Sequence, residues 1–234
     1  MSKAAELANL IGNINMGGGG VNRNLVINGA MNVHQRSTSV TNVGASAGYF
    51  TADRFYIEPS GTAGRLTVTQ DSSAPSGFAN SMKLACTTAD TSIASGEVFD
   101  IQQRFEGQNL QGFAKGTSDA KPFALSFYVK GNASATYVAE LYDADNNRQI
   151  SKTFNVTTDW ERVELTYPAD TTGAFDDDNA ISLYLVIWLH AGSNYTSGTL
   201  NSSSWASSTQ ANRVVGISSF FDSTARTFFI TGVQ

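Results

Sequence analysis

Residues 123–167 decide the fold class of this chain; they read FALSFYVKGNASATYVAELYDADNNRQISKTFNVTTDWERVELTY. Apolar and polar residues alternate here in four runs, which Gly, Asn, Asp and Thr separate roughly every ten residues. Such alternation is typical of an antiparallel strand with one buried and one solvated face. The stretch therefore predicts four strands joined by three turns into an antiparallel sheet. The residues predicted to face the core are Phe123, Leu125, Phe127, Val129, Tyr137, Ala139, Leu141, Ile150, Phe154, Val156, Val163, Leu165 and Tyr167.

Similar short strands are predicted through the rest of residues 21–234, beginning with a strand at residues 24–28. We expect an all-β fold: a two-sheet antiparallel β-sandwich, jelly-roll-like, with about eleven or twelve strands and a short N-terminal helix. The strand at residues 181–190 is unusual because it is apolar on both faces, which predicts a position in the middle of the structure or against another subunit. Its two faces are Leu183, Leu185, Ile187 and Leu189 on one side and Tyr184, Val186 and Trp188 on the other.

Residues 1–20 form a separate unit in this interpretation, a helical anchor followed by a tether. Ala4, Leu7, Ile11 and Ile14 are spaced by 3, 4 and 3 residues, which is the spacing of a coiled-coil seam. A helix this short is marginal alone in water, so its apolar stripe should be buried on a symmetry mate or another protein, or alternatively on its own sandwich. The four glycines at 17–20 predict a flexible link to the body.

Composition and charge exclude several classes of function. The chain has 15 Lys and Arg against 20 Asp and Glu, a net charge of −5, and its basic residues do not cluster. A nucleic-acid groove or a surface for anionic membranes would need such a cluster, so we expect neither partner. The N-terminus has no basic region followed by an apolar run, which predicts synthesis in a cytoplasm without a signal peptide.

Residues that could carry catalysis are few. The chain has two histidines, and His190 ends an apolar strand, where a hydrogen-bonded core histidine is a more common role than a catalytic base. Motifs of nucleophile elbows, phosphate loops and zinc proteases are missing. Carboxylates are plentiful, but a sequence cannot place two of them at the separation that a glycosidase needs. We therefore expect a protein that is not an enzyme and has no cofactor.

Two acidic segments are candidates for calcium sites. Asp143, Asp145 and Asn147 place oxygen atoms at alternate positions, as calcium loops do, but the Gly and terminal Glu of an EF-hand are missing. The same residues suit a hairpin turn without a metal. Asp176–Asp178 is similar, and we predict no metal at either segment.

The pair Asp53–Arg54 lies between a polar loop and an apolar segment. It could bind a ligand, or it could be a hydrogen-bonded clasp that holds the first loop, with Arg36 as a further member. The clasp is favoured because Arg–carboxylate geometry suits it.

Three aromatic residues are candidates for stacking on a sugar: Trp188, Tyr195 and Trp205. The last two lie in the polar segment 192–212, and a segment of this length without a strand pattern is usually functional or disordered. Aromatic rings supply a large contact area at a low cost in conformational entropy. The alternative is that these rings cover the sandwich or fill a subunit interface.

The chain resembles a family of bacteriophage tail-fibre and virion-appendage proteins over residues 22 to 234, nearly the whole body. The resemblance is strongest at the start of the body, in Asn24–Arg36 with Tyr49 and Thr51–Phe55. Four shorter segments add to it: Phe127–Gly131, Trp160–Val163, Asp170–Gly173 and Phe228–Gln234.

The resemblance implies a sandwich similar to carbohydrate-binding jelly rolls in a virion protein that is often trimeric and often near the host-contact end. The expected partners are other virion proteins of the tail, neck or capsid, the same chain in a homotrimer, and host-surface glycans. Relatives commonly continue past the closing motif, whereas this chain stops at Gln234, which favours a short fibre, an adaptor or a head or neck appendage.

Overall fold

The computed structural model describes residues 24–234, and this part of the chain is a two-sheet β-sandwich with few helical residues. Its only α-helix, α1, is the single turn Ser193–Thr196. Within the described residues the strands are β1 (Ser39–Val43), β2 (Tyr56–Ser60), β3 (Arg65–Asp71), β4 (Ser81–Thr88), β5 (Val98–Glu106), β6 (Phe123–Gly131), β7 (Ala135–Asp143), β8 (Arg148–Val156), β9 (Glu161–Tyr167), β10 (Ile181–Ala191), β11 (Ala206–Ser207) and β12 (Thr227–Thr231).

The strands form two six-stranded antiparallel sheets. Sheet A has the order β1-β3-β4-β12-β6-β9, and sheet B has the order β11-β8-β7-β10-β5-β2. The predicted fold class, a two-sheet antiparallel β-sandwich, is confirmed.

The hydrophobic core lies between the two sheets and is filled by the inward-facing residues of both. Phe127 and Val129 of β6 and Ile150 of β8 are fully buried, as the alternation predicts. Aromatic rings meet across the core: the Phe127 ring lies 5.0 Å from that of Phe154, and the Tyr137 ring lies 5.6 Å from that of Phe228, both edge to face. Such contacts lock the sheets face to face and leave each with one outer face.

Residues 123–167 do form four strands, but the prediction that these strands make one sheet is wrong. β6 pairs with β9 in sheet A, whereas β7 pairs with β8 in sheet B. The chain therefore crosses between the sheets after β6 and again after β8. The alternation fixes which face of a strand is buried, and both sheets bury a face on the same core, so the pattern cannot say which strands are neighbours.

The position of β10 agrees with its two-sided apolar pattern. β10 lies between β7 and β5 near the middle of sheet B. Leu185 and Ile187 face the main core, while Val186 and Trp188 face the opposite side and belong to a second hydrophobic cluster.

The predicted strand at residues 24–28 is wrong, because a side chain takes the role of a neighbouring strand there. The side-chain amide of Gln103 accepts a hydrogen bond from the Ile27 N–H at 2.8 Å and donates one to the Ile27 carbonyl oxygen at 3.0 Å. The anchor and tether at residues 1–20, including Ala4, Leu7, Ile11 and Ile14, lie outside the described residues. In the part that is described, none of the helices has the length and apolar character needed to cross a membrane.

Candidate functional site

The outer face of sheet B, the side opposite the main core, carries a dense set of aromatic and polar side chains. Alternation along β10 places Tyr184, Val186 and Trp188 on this face. The register between β7 and β10 places Tyr142 of β7 opposite Tyr184 and places Glu140 of β7 opposite Val186. On the other side of β10, β5 contributes residues 100, 102 and 104, which pair with Trp188, Val186 and Tyr184.

One end of this face is covered by the two ends of the segment that follows β10, residues 192–218, while the middle of the segment forms the edge strand β11. A second hydrophobic cluster lies beneath it and contains Trp188, Val138 and Val214. The Tyr195 ring of this segment lies 5.5 Å from the Trp188 ring, and Tyr195 itself is half-buried. The covering segment thereby makes one wall of a cleft on an otherwise open sheet.

A buried ion pair ties this wall to the sheet. Arg213 donates two hydrogen bonds to the carboxylate of Glu140, at 2.8 and 2.6 Å, and the Trp188 Nε1–H donates a third at 2.8 Å. Glu140 is fully buried, so removing its partners would leave a charge without water. A paired guanidinium fork of this kind fixes both the position and the orientation of the Arg213 side chain.

Rings and guanidinium groups form a row across the face, from β2 to the covering segment. The Arg104 guanidinium carbon lies 3.7 Å from the ring centre of Tyr56 and 5.5 Å from that of Tyr184. The Tyr184 and Tyr142 ring centres are 6.0 Å apart, and the Arg213 guanidinium lies 5.1 Å from Tyr142. Such cation–π contacts hold the rings in place. The tyrosines are half-buried, so each presents part of its ring to solvent.

The cleft that this row borders has a volume of about 430 Å³ and is lined by both ring faces and polar groups. Glu58, Asp100 and Gln102 supply its acidic and amide side chains, and Tyr184 and Trp188 are among its aromatic residues. A mostly apolar concavity with a few fixed polar groups is the usual architecture of a small-ligand site.

Asp100 is the cleft's unusual titratable group. Burial raises its pKa to about 8, against the hydrogen bond that Gln102 donates to it at 2.9 Å and the attraction of Arg213. The neighbouring carboxylates of Glu58 and Glu140 raise the pKa further. At neutral pH the side chain is therefore mostly a protonated acid, which both donates and accepts hydrogen bonds.

The structure brings together two of the three aromatic residues singled out in the sequence. Trp188 lies at the floor of the cleft and is only 2% exposed, and Tyr195 packs beside it in the wall. Trp205 lies elsewhere, in the main core, with its ring 5.8 Å from that of Phe123 and its Nε1–H donating to the Pro168 carbonyl. We leave Trp205 out of the candidate site.

At the first acidic segment, the Asp143 carboxylate is paired with a buried lysine. The Nζ of the buried Lys115 lies 2.6 Å from the Asp143 carboxylate and 3.1 Å from that of Asp170. Asp143 also accepts a hydrogen bond from the Asn146 N–H, as in a hydrogen-bonded turn. In the second segment, Asp178 accepts a hydrogen bond from the Ala180 N–H.

The Asp53 carboxylate has the contacts of a clasp. It lies 3.4 Å from Arg36 Nη1 and accepts a hydrogen bond from the Gln35 N–H at 3.3 Å. The Asp53 N–H donates to the Val33 carbonyl. Asp53 thus holds the 33–36 loop, while Arg54 is exposed beside it.

Sequence reasoning missed most of the residues of the face. Tyr142 could have been assigned to it, because it alternates with the core residues Tyr137, Ala139 and Leu141. Tyr56, Asp100, Arg104 and Arg213 carried no such signal, since only the pairing of β2, β5 and β10 and the path of residues 192–218 bring them together.

No protein-family model and no curated protein matches this sequence. Several solved structures are similar to the sandwich, and carbohydrate-binding modules recur among them. A structure described as CBM4 has 12% identity and a TM-score of 0.47, over 89% of this chain and 97% of that one. A family 11 carbohydrate-binding module from Clostridium thermocellum, in complex with a mixed-linked tetrasaccharide, has 11% identity and a TM-score of 0.40, over 83% and 93%.

A phage protein is also among the similar structures. It is the enzymatically active domain of tailspike protein 4 of bacteriophage CBA120, with 13% identity and a TM-score of 0.43. The match covers 90% of this chain but 21% of the tailspike chain. At these identities and TM-scores, function has to be argued from the residues of this chain.

Proposed function

We propose that this protein is a glycan-binding module that holds carbohydrate in the cleft on the outer face of sheet B. The observation that carries the proposal is the pair of half-buried tyrosines, Tyr184 and Tyr142, which line the cleft together with polar side chains. Pyranose rings present C–H groups on their faces and hydroxyls at their edges. The tyrosine rings suit the faces, and Glu58, Asp100 and Gln102 suit the hydroxyls.

The module needs little rearrangement to bind, because its contacts are held in advance. Arg104 stacks on Tyr56 and is itself bonded to Gln102 through two nitrogens, at 3.1 and 2.9 Å. Side chains fixed in this way lose little conformational entropy when a ligand arrives, which raises affinity. The role is binding rather than catalysis, so we expect no release of reducing sugar from any glycan that binds.

The test is a glycan array on the full-length protein, followed by calorimetry with the sugars that are retained. We expect weak but saturable binding, and the variant Tyr184→Ala should weaken it by about tenfold or more because it removes the central ring. Tyr128→Ala is the matched control, since Tyr128 is a half-buried tyrosine on the outer face of sheet A.

Two outcomes would count against this function. If the protein binds no sugar at millimolar concentration, the outer face of sheet B is not a glycan-binding site. Equal losses in Tyr184→Ala and Tyr128→Ala would move the glycan away from the cleft.

We further propose that the module belongs to a phage particle, as a homotrimeric tail fibre or similar appendage anchored through residues 1–20. The support is the resemblance of residues 22–234 to phage appendage proteins, together with the seam of Ala4, Leu7, Ile11 and Ile14. The chain would be made in the host cytoplasm and would leave the cell as part of the virion.

This second proposal has its own measurements. Light scattering on the full-length protein at micromolar concentration should give the mass of a trimer, and a monomer would contradict it. The double variant Leu7→Asp with Ile11→Asp should fold but fail to enter particles. A variant that still co-purifies with particles would show that the seam is not the anchor.

A further inference from the structure

Three buried side chains meet where β10 ends, away from the cleft floor: Asp90, Glu97 and His190. Their exposed fractions are 6%, 5% and 0%, and one ligand atom from each lies within 4.8 Å of the other two. His190 Nε2 lies 3.1 Å from Glu97 Oε2. The cluster joins the loop that follows β4, the first residue before β5, and the end of β10.

Other buried carboxylates in residues 24–234 have a basic partner, apart from Asp100, which keeps its proton at neutral pH. Arg213 pairs with Glu140, at 2.6 Å. Lys115 pairs with Asp143, and Arg148 pairs with Asp170 at 2.7 Å. Burying a carboxylate without a positive partner is costly, so this rule of pairing is physically expected.

Asp90 and Glu97 depart from that rule. Among the described residues, neither has a Lys or Arg nitrogen within salt-bridge distance, and the only basic group facing them is His190. Burial lowers the pKa of His190, against the hydrogen bond and the attraction of Glu97 and the attraction of Asp90. Two buried carboxylates thus share a single imidazole as their basic neighbour.

Neighbouring groups hold the three side chains in fixed orientations. Asp90 Oδ2 accepts hydrogen bonds from Thr62 Oγ1 at 2.8 Å and from the Ala63 N–H at 2.7 Å. Glu97 Oε1 accepts one from the Ala94 N–H at 2.9 Å, which leaves Oε2 toward His190. Supporting bonds of this kind are what orient the ligands of metal sites.

The second nitrogen of the imidazole also has a suitable partner. His190 Nδ1 lies 2.8 Å from Ser219 Oγ, and the same oxygen accepts a hydrogen bond from the Phe221 N–H. With two lone pairs, Ser219 Oγ can accept from Nδ1–H as well. Without an ion, the contact between Nε2 and Glu97 Oε2 requires the proton on Nε2. With the proton on Nδ1 instead, the Nε2 lone pair faces the cluster and is free to bind a cation.

We propose that Asp90, Glu97 and His190 bind one divalent transition-metal ion, with Zn²⁺ as its representative. Imidazole together with carboxylates suits zinc and its neighbours, whereas Ca²⁺ and Mg²⁺ prefer oxygen ligands alone. Adjacent ligands about 2.1 Å from a shared ion stand about 3.0–3.4 Å apart, and the separation of Nε2 and Oε2 is 3.1 Å.

Binding exchanges one contact for another without leaving a group unpaired. The ion replaces the contact between Nε2 and Oε2, the imidazole proton resides on Nδ1, and Ser219 accepts it. Its two charges offset those of the two carboxylates. Residues 91–96, which connect Asp90 to Glu97, are exposed.

The ion would stiffen the base of the wall beside the cleft. Glu97 precedes Val98, and His190 lies between Leu189 and Ala191; Val98 and Ala191 belong to the second hydrophobic cluster. The Glu97 carbonyl also accepts a hydrogen bond from the Gly192 N–H, where the covering segment starts. The metal therefore stabilises the junction from which residues 192–218 depart.

The experiment uses the full-length protein, stripped with a chelator and titrated separately with Zn²⁺, Co²⁺ and Ca²⁺. We expect one Zn²⁺ per chain by calorimetry and elemental analysis, visible ligand-field bands with Co²⁺, and no stoichiometric binding of Ca²⁺. At about a hundredfold excess over Kd, Zn²⁺ should raise Tm by roughly 5–10 °C. Wild-type protein that binds no Zn²⁺ at millimolar free metal overturns the proposal.

Variants locate the ion. Glu97→Gln keeps the shape of the side chain but removes a charged ligand, so stoichiometric Zn²⁺ binding and the cobalt bands should be lost. His34→Gln changes the other histidine of the chain and should bind Zn²⁺ as the wild type does. Zn²⁺ binding that survives in Glu97→Gln contradicts the assignment.

A measurement on the wild type guards against a variant that fails to fold. Imidazole nitrogen shifts in NMR should show Zn²⁺ arriving at His190 Nε2 while Nδ1 keeps its proton. Shifts confined to His34, or to neither ring, would place the metal elsewhere and overturn the proposal.

Discussion

The two outer faces of the sandwich follow the same alternating pattern but differ in what they bury. On sheet A the outward residues of β9, such as Arg162 and Glu164, are exposed. On sheet B the outward residue Glu140 is fully buried, as is its neighbour Ser151. The sheet A face is a solvated surface, whereas the sheet B face is a partly closed polar interior.

The covering segment causes this difference. Tyr195, Val214 and Ile217 of this segment pack over one end of sheet B, and Arg213 binds Glu140. A polar residue in an alternating strand is therefore solvated on one sheet and enclosed on the other. Enclosed polar groups cost stability unless they are paired, so the pairing on sheet B should be much more sensitive to substitution.

The largest expected effect is loss of the buried pair. Arg213→Met leaves the Glu140 carboxylate enclosed with only the Trp188 hydrogen bond, and we expect a loss of about 3–5 kcal/mol in the free energy of unfolding. Denaturant unfolding measures it.

The matched control is Arg162→Met on sheet A. Arg162 lies 2.7 Å from Glu164, but both side chains are about half exposed or more, so the cost should stay below about 1 kcal/mol. Equal costs for the two variants would mean that Glu140 is hydrated or protonated and that the two faces do not differ as described.

The sequence alone could predict which face of each strand is buried, but not which sheet the strand joins. Alternation gave the core side of nearly every strand in residues 123–167 and the two faces of β10, because side-chain direction has a strict period of two. It could not give the sheet to which a strand belongs, as the separation of β6 from β7 shows. Strand order depends on contacts between residues far apart in the sequence.

The candidate site was predictable to a smaller extent for the same reason. Trp188 and Tyr195 are close in sequence and also in space, so their positions in the sequence were enough to pair them. Trp205 is only ten residues beyond Tyr195 but enters the main core, because the path of the covering segment takes it there. Asp100 is one acidic residue among twenty in the sequence, and its burial follows only from the register of β5 with β10.

The next effect is a pH dependence of the free energy of unfolding, which arises from Asp100 on the sheet B face. The folded state holds the Asp100 proton up to a pKa of about 8, whereas the unfolded chain releases it near 3.8. Between these values the folded state binds more protons, so stability falls as pH rises, by up to about 1.4 kcal/mol per pH unit.

Asp100→Asn isolates this contribution, because the amide mimics the protonated acid. Thermal unfolding from pH 4 to pH 9 should show the smallest difference between variant and wild type at the acid end, and the difference should widen as the pH rises toward 8. The variant should be the more stable protein at the basic end. Parallel curves over the whole range would mean that Asp100 is ionised in the folded state.

A smaller difference in stability is expected between tryptophan substitutions on the two faces. Trp188→Phe removes the indole hydrogen bond to Glu140 at 2.8 Å inside sheet B's covered face, and should cost about 1–3 kcal/mol. Trp160→Phe changes a half-buried ring that packs edge-on against Phe229 of sheet A, and should cost clearly less. The reverse order would indicate that packing area, rather than the enclosed carboxylate, determines these costs.

The smallest expected effect concerns the tyrosines of the proposed glycan cleft, where ring face and hydroxyl can be separated. Tyr142 donates a hydrogen bond to Asn147 Oδ1 at 3.0 Å at an exposed position, so Tyr142→Phe should cost less than about 1 kcal/mol of stability. The ring remains to stack, and glycan affinity should change by less than about threefold, which is about 0.7 kcal/mol. Calorimetry with the retained sugar measures it, and Tyr128→Phe on sheet A gives the background. If Tyr142→Phe instead weakens binding as strongly as Tyr184→Ala, the glycan is recognised through tyrosine hydroxyls, and stacking on the rings is not what distinguishes the sheet B face.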